Sequence, residues 1–236
     1  MKSPALLLAA APAFLVALAL SAAPFRASAE SAVAIPPPAM TAPAPASGLE
    51  TTVLAGGCFW GMQAVFQHVK GVTNAVSGYA GGARKDAEYE TVSTGTTGHA
   101  ESVKVTFDPQ QISYGKILQI YFSVAHNPTE LNYQGPDHGT QYRSEIFPQT
   151  DAQRAEAKAY IAQLDKAHAF KRPIVTKVDA AKAAFFPAEG YHQDYATLHP
   201  SQPYIMFNDA PKVANLQKMF PDVWRDKPVL VKEAGL

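Results

Sequence analysis

A single cysteine, Cys58, in a chain of 236 residues rules out an intramolecular disulfide framework, so a hydrophobic core alone has to hold the fold together. The constraint is sharper because the chain begins like an exported protein. Lys2 is followed by an apolar stretch from Ala5 to Leu20 and then by Ala27-Ser28-Ala29, the small-residue pattern of a cleavage site. The rival reading is an uncleaved membrane anchor. Pro12 interrupts the stretch, and its length falls short of the roughly 20 apolar residues a spanning helix needs. Residues 1–29 are therefore expected to be a signal peptide, with a periplasmic or secreted product that has no stable membrane insertion after cleavage. A solitary thiol in an oxidising compartment then needs a reason to be there.

Residues 30–48 contain Ile35-Pro36-Pro37-Pro38 and, in all, five prolines among alanines, with few bulky side chains to offset the entropy of ordering. They read as an extended Pro/Ala-rich linker. Residues 49–236 remain as one domain, the length of a single core. Without Lys2 and Arg26, 18 basic residues stand against 20 acidic ones, so nothing in the charge balance suggests nucleic acid as a partner.

Within the domain, Thr51 to Ala55 is a β-prone run that stops at Gly56-Gly57, and Met62, Val65, Phe66 and Val69 then recur at helical spacing up to Gly71. Cys58 thus falls at a strand-to-helix junction. Val72 to Tyr79 reads as a strand, and Ala100 to Phe107 as another with period two. Further helices are expected over 112–124, 151–166, 189–198 and 211–219, with a strand over 174–178. Strands and helices interleave without regular βαβ spacing, which predicts an α+β domain of two layers on a mixed sheet.

Three features of this pattern carry chemistry. A cysteine at a helix N-terminus gains thiolate character from the free amides and the helix dipole, which makes Cys58 a candidate nucleophile with a lowered pKa. A free cysteine is also a common inert core residue, so both readings stand at this point. Phe59 and Trp60 follow it, and consecutive helical side chains point about 100° apart, so both cannot face one core. At least one is expected at the surface beside the sulfur, where it would form an apolar pocket. Counting back by two from Val103 puts Glu101 on the apolar face of its strand, where burial raises a carboxyl pKa and makes a proton donor; a first-position Glu that curls out to solvent is the alternative. Tyr89, Asp137 and Tyr142 lie in polar, irregular segments of the kind that carry sites, although each such residue is more often structural. The seven histidines show no H-x-H or H-E-x-x-H spacing, so neither a metal nor another cofactor is expected.

Taken together, the motifs resemble the A-type peptide methionine sulfoxide reductases. Gly56-Gly57-Cys58-Phe59-Trp60-Gly61 is similar to that family's nucleophile motif, and Gly98-His99-Ala100-Glu101 to its acid motif. Two later blocks, Asp137 to Ser144 and Ala188 to Tyr195, follow in the same order. The resemblance implies a two-layer α/β domain on a mixed sheet, a variant of the ferredoxin-like plait. It implies Cys58 as nucleophile, Glu101 as the acid for the sulfoxide oxygen, and Tyr89 and Tyr142 as donors to that oxygen. Phe59 and Trp60 would enclose the methyl group, with Asp137 at the edge. The substrate would be the S epimer of methionine sulfoxide, in oxidised proteins or peptides or as the free amino acid, reduced by a monomer acting in protein repair under oxidative stress.

Many family members carry one or two further cysteines near the C-terminus that resolve the oxidised nucleophile. This chain ends LVKEAGL without one, so an external thiol or dithiol is required, whether thioredoxin-like, glutaredoxin-like or a small thiol. Tyr133 and Pro136 also depart from the family pattern. The rival activity is a cysteine hydrolase or acyltransferase with His99, His138 or His192 as base. Its G-x-nucleophile-x-G elbow is missing here, and it would leave Glu101 without a role.

Overall fold

The computed structural model describes residues 32–41, 45 and 47–231; the expected signal peptide lies outside them. In chain order the elements are β1 (Glu50–Ala55), α1 (Phe59–Gln67), β2 (Val72–Ala80), α2 (Tyr89–Val92), β3 (Ala100–Phe107), α3 (Tyr114–Ile120), β4 (Tyr133–Gln134), β5 (Asp137–His138), β6 (Glu145–Phe147), α4 (Asp151–Lys166), β7 (Lys177–Val178), β8 (Phe185–Pro187), α5 (Tyr195–Leu198) and α6 (Ala210–Met219).

Six strands form one mixed sheet in the order β7-β6-β1-β3-β2-β8, with β6 and β7 parallel and the other neighbours antiparallel. This is the two-layer mixed architecture that the irregular interleaving predicts. The alternation in β3 directs Glu101, Val103, Val105 and Phe107 to one face, all buried, where they meet Leu54 of β1, Phe66 of α1 and Ile117 of α3 in the main core. Antiparallel pairing sets Ala55 opposite Ser102 and Tyr79 opposite Glu101. The end of β1, the start of β3 and the end of β2 therefore meet at one edge of the core, directly beneath the start of α1.

Some expected elements are shorter or broken, two of them for a tertiary reason. The helix predicted over 112–124 is α3 followed by a π-helical turn, Tyr121–Ala125. The buried Tyr121 hydroxyl donates to the Ala55 carbonyl at 2.7 Å, so the irregular turn is tied to the residue just before the Gly56-Gly57 bend. The helix expected over 189–198 is a 3-10 turn, Gly190–His192, and then α5. Asp194 breaks it with a φ of 59° and is held there from two sides: its amide donates to Gln63 Oε1, and its Oδ1 accepts from Gln67 Nε2 and the Val231 amide. The strand expected over 174–178 shortens to β7.

The proline-rich segment differs most from expectation. Residues 32–41 form no regular element, but they are docked rather than free. Ile35 is buried in the main core, and Gln119 Nε2 donates to its carbonyl at 2.9 Å. The Tyr160 hydroxyl donates to Pro36 O and Gln163 Nε2 to Pro37 O, while Gln163 Oε1 accepts from the Ala39 amide. Proline lowers the entropy of the free segment, so fewer contacts suffice to hold it than composition alone suggests.

Candidate active site

The bend that delivers Cys58 depends on glycine at two places. Gly57 has a φ of +89°, and a Cβ there would fall 2.7 Å from the Cβ of Gln134. Gly61, in the first turn of α1, leaves room for the Asp209 carboxylate, which would lie 2.1 Å from a Cβ at that position. Cys58 is the N-cap residue of α1, as the strand-glycine-helix pattern predicts, and its side chain is 8% exposed.

Glu101 lies on the core face of β3, 4% exposed, and its Oε2 accepts the Phe59 amide at 3.0 Å. This hydrogen bond joins the acid to the first residue of the helix that Cys58 caps. Burial raises the Glu101 carboxyl to about 8, an effect the Phe59 amide only partly offsets. The carboxyl is therefore mostly neutral at pH 7, as its place on an apolar face predicts.

Cys58 behaves differently from expectation. Burial pushes its thiol well above the ordinary value, and the Asp209, Glu101 and Asp137 carboxyls push it further. The hydrogen bond from the Trp60 amide acts in the opposite direction but is outweighed. A helix terminus lowers a thiol pKa only where desolvation or nearby anions do not oppose it, and here both the apolar surroundings and three acids do. The resting sulfur is thus a thiol.

The two tyrosines are brought to the same place by separate devices. Glu189 accepts the Tyr79 hydroxyl on Oε2 and the Tyr89 amide on Oε1, each at 2.9 Å, and so ties the start of α2 to the end of β2. Arg143 donates to the carbonyls of Gly98, His99 and Thr140, each at 3.0 Å, and fixes the 3-10 turn Thr140–Tyr142 against the start of β3. Both phenols are half-buried and their pKa values are raised, first by burial and then by the Glu101 charge, so they remain hydroxyl donors. Asp137 comes from the β4–β5 hairpin, which leans on Gly57 through Gln134, and it accepts a hydrogen bond from the Tyr204 hydroxyl. Its carboxyl is raised, chiefly by burial. Of the two departures from the motif pattern, Tyr133 stacks on His138 with ring centroids 5.5 Å apart, and Pro136 lies exposed in the hairpin turn.

Phe59 and Trp60 divide as consecutive helical residues must. Phe59 is 1% exposed and packs on Tyr79 and His192, so its ring is a core element rather than part of an open rim. Trp60 is the partly exposed member, stacked on Tyr195 at 4.0 Å and edge-on to Tyr204. Its Nε1 donates to His192 Nδ1 at 3.2 Å.

Sequence reasoning gave no role in sulfoxide reduction to three contributors: Tyr204, which donates to Asp137, Asp209, which sits on Gly61, and His192, whose ring packs on Tyr89 as well. Only His192 carried a signal, as part of the Ala188 to Tyr195 block. His99 holds a loop: its Nδ1 accepts the Gly82 amide and its Nε2 meets the Ala83 carbonyl.

Comparison with known proteins places this arrangement. A family model described as peptide methionine sulfoxide reductase matches residues 50–223. The chain is 62% identical over 190 residues to peptide methionine sulfoxide reductase MsrA 2 of Mesorhizobium japonicum, covering 80% of this chain and 97% of that one. It is 48% identical over 177 residues to the protein of the same name from Synechocystis, covering 75% and 82%. Among solved structures it is similar to reduced Mxr1 of Saccharomyces cerevisiae, with a TM-score of 0.59 at 31% identity, covering 67% of this chain and 90% of that one. Methionine sulfoxide reductase A of Corynebacterium diphtheriae gives a TM-score of 0.56 at 31% identity, covering 66% and 77%.

Proposed function

This chain belongs to the peptide methionine sulfoxide reductase family and is an oxidoreductase that reduces methionine sulfoxide; from that premise we propose that Cys58 attacks the sulfoxide sulfur while Glu101 protonates its oxygen. The observation that carries this reading is the Phe59 amide to Glu101 Oε2 hydrogen bond, which holds a neutral acid at the first turn of the helix that Cys58 caps.

A sulfoxide sulfur becomes electrophilic as its oxygen gains a proton, so the acid must act as the sulfur attacks. Glu101 gives its proton to the oxygen, Cys58 Sγ bonds to the substrate sulfur, and the thiol proton passes to the Glu101 carboxylate. Transfer of the hydroxyl to Cys58 then breaks the S–O bond and releases methionine. The substrate sulfur gains two electrons and Cys58 loses them, ending as sulfenic acid. Tyr89 and Tyr142, kept neutral by burial, donate hydrogen bonds to the oxygen as charge grows on it. Trp60 forms the apolar wall for the methyl group, with Phe59 beneath it as a buried support and Asp137 at the polar edge. The handed arrangement of wall and donors selects the S epimer.

Cys58 is the only cysteine in the sequence, so two external thiol groups regenerate it. The first forms a mixed disulfide and releases water, and the second displaces Cys58 as a thiol. We place the enzyme in the periplasm, on the strength of the apolar N-terminal stretch.

The test is the pH dependence of a single turnover, measured as methionine released. Neutral Glu101 is the active form, so the rate is level below about 8 and falls about tenfold per pH unit above it. Glu101→Gln removes that descent along with most of the rate. A wild-type profile that rises steadily through this range would contradict the acid role.

A further inference from the structure

Three carboxyl groups act on Cys58, and the proposed reaction uses only Glu101 and Asp137. The third belongs to Asp209, the last residue of the π-helical turn Ile205–Asp209 that leads into α6. Its side chain is wholly buried and seated on the bare backbone of Gly61, in the first turn of α1. Lys212, three residues on, brings Nζ to 3.9 Å from Asp209 Oδ1, and its own side chain is 7% exposed.

A buried ion pair is a poor means of stabilising a fold, because desolvating both charges offsets most of their attraction. Its place here has a different consequence. Anions are favoured at the first turn of a helix, and this one shares that turn with the nucleophile. The other titratable groups around the thiol are Glu101 from β3, Asp137 from β5, Tyr89 from α2, Tyr142 from the 3-10 turn before β6 and Tyr204 from the chain before Asp209. Lys212 approaches from α6, and its charge is felt at Asp137. After burial, Asp209 acts more strongly on the thiol than Glu101 does.

We propose that Asp209, held by Lys212, is a positioning residue that keeps Cys58 a thiol at rest, so that it reacts with sulfoxides, which accept a proton, and not with electrophiles that accept none. This rests on the reading of Cys58 as nucleophile and Glu101 as acid. A chain with one cysteine has no internal thiol to rescue a nucleophile lost to a side reaction, which gives such restraint a value here.

Alkylation of the full chain by iodoacetamide tests it. In that reaction the C–I bond breaks, a Cys58 S–C bond forms, iodide leaves and the thiol proton goes to solvent, with Cys58→Ser as the blank. The rate tracks the thiolate fraction, so its pH midpoint reads the thiol directly. The wild-type midpoint is expected above the usual value of about 8.5. Asp209→Asn should lower it by about one pH unit and speed alkylation at pH 7 about tenfold, so that the ratio of sulfoxide reduction to alkylation falls by a similar factor. The double variant Asp209→Asn with Lys212→Met, which leaves no unpaired charge, should fall between the two. A purely structural pair would lower the melting temperature and leave all three midpoints equal, and that result overturns the proposal. A wild-type midpoint at or below the usual value overturns it even if neither variant folds. Sulfoxide reduction retained in Cys58→Ser would instead overturn the nucleophile assignment, which the alkylation titration does not touch.

Discussion

Glu101 and Asp209 are both buried carboxyl groups beside one thiol, and they differ in what each one faces. Glu101, second residue of a strand, meets a backbone amide, which steadies the group without fixing its charge. Asp209, at the junction of a π turn and a helix, meets a lysine ammonium. An amide partner leaves a carboxyl free to give and take a proton near neutral pH, whereas an ammonium partner favours its charged form. The same residue chemistry thus yields a proton carrier in one place and a fixed field in the other.

The comparison breaks first at Glu101. Glu101→Gln keeps the shape and the amide contact but has no proton to give, so single-turnover reduction should drop by about 10² to 10⁴-fold while substrate still binds. A loss no greater than that of Asp209→Asn would erase the distinction. Next in size is Tyr142→Phe, which removes one donor to the sulfoxide oxygen and should cost about 10²-fold in the same assay. Tyr89→Phe should behave alike.

Gly61→Ala sharpens the other side. The added methyl group meets the Asp209 carboxylate at 2.1 Å and must displace it, at a cost of about 1–3 kcal/mol in denaturant unfolding. It should also lower the Cys58 alkylation midpoint, because the fixed charge retreats. The smallest effect is expected far from both acids. Tyr160→Phe removes the hydrogen bond to Pro36 and should lower unfolding stability by about 1 kcal/mol with no change in turnover.

How much was legible in the sequence follows the same division. Glu101 was readable because strand periodicity puts it on the face that becomes the core, and a carboxyl in that position has few alternatives. Cys58 was readable as the residue at a strand-glycine-helix junction, but its protonation was not, since that depends on acids contributed by β3, β5 and the chain before α6. Asp209 reads in sequence as an ordinary residue ahead of a proline-started helix; only the packing of that turn on Gly61 shows its reach. The docked segment 32–41 was missed because composition describes how little such a chain can bury by itself, not the groove that α3 and α4 offer it. The break at Asp194 depends on hydrogen bonds to Gln63, Gln67 and Val231, partners between 37 and 131 residues away, which no local pattern encodes.

The most direct measurement mixes the reduced enzyme with a blocked methionine S-sulfoxide in the absence of any thiol, then counts methionine released and locates oxygen on the protein by mass spectrometry of its peptides. The account predicts one methionine per chain, with one oxygen atom on Cys58 and none elsewhere. Methionine formed without oxidation of Cys58, or turnover that continues without a reductant, would contradict it.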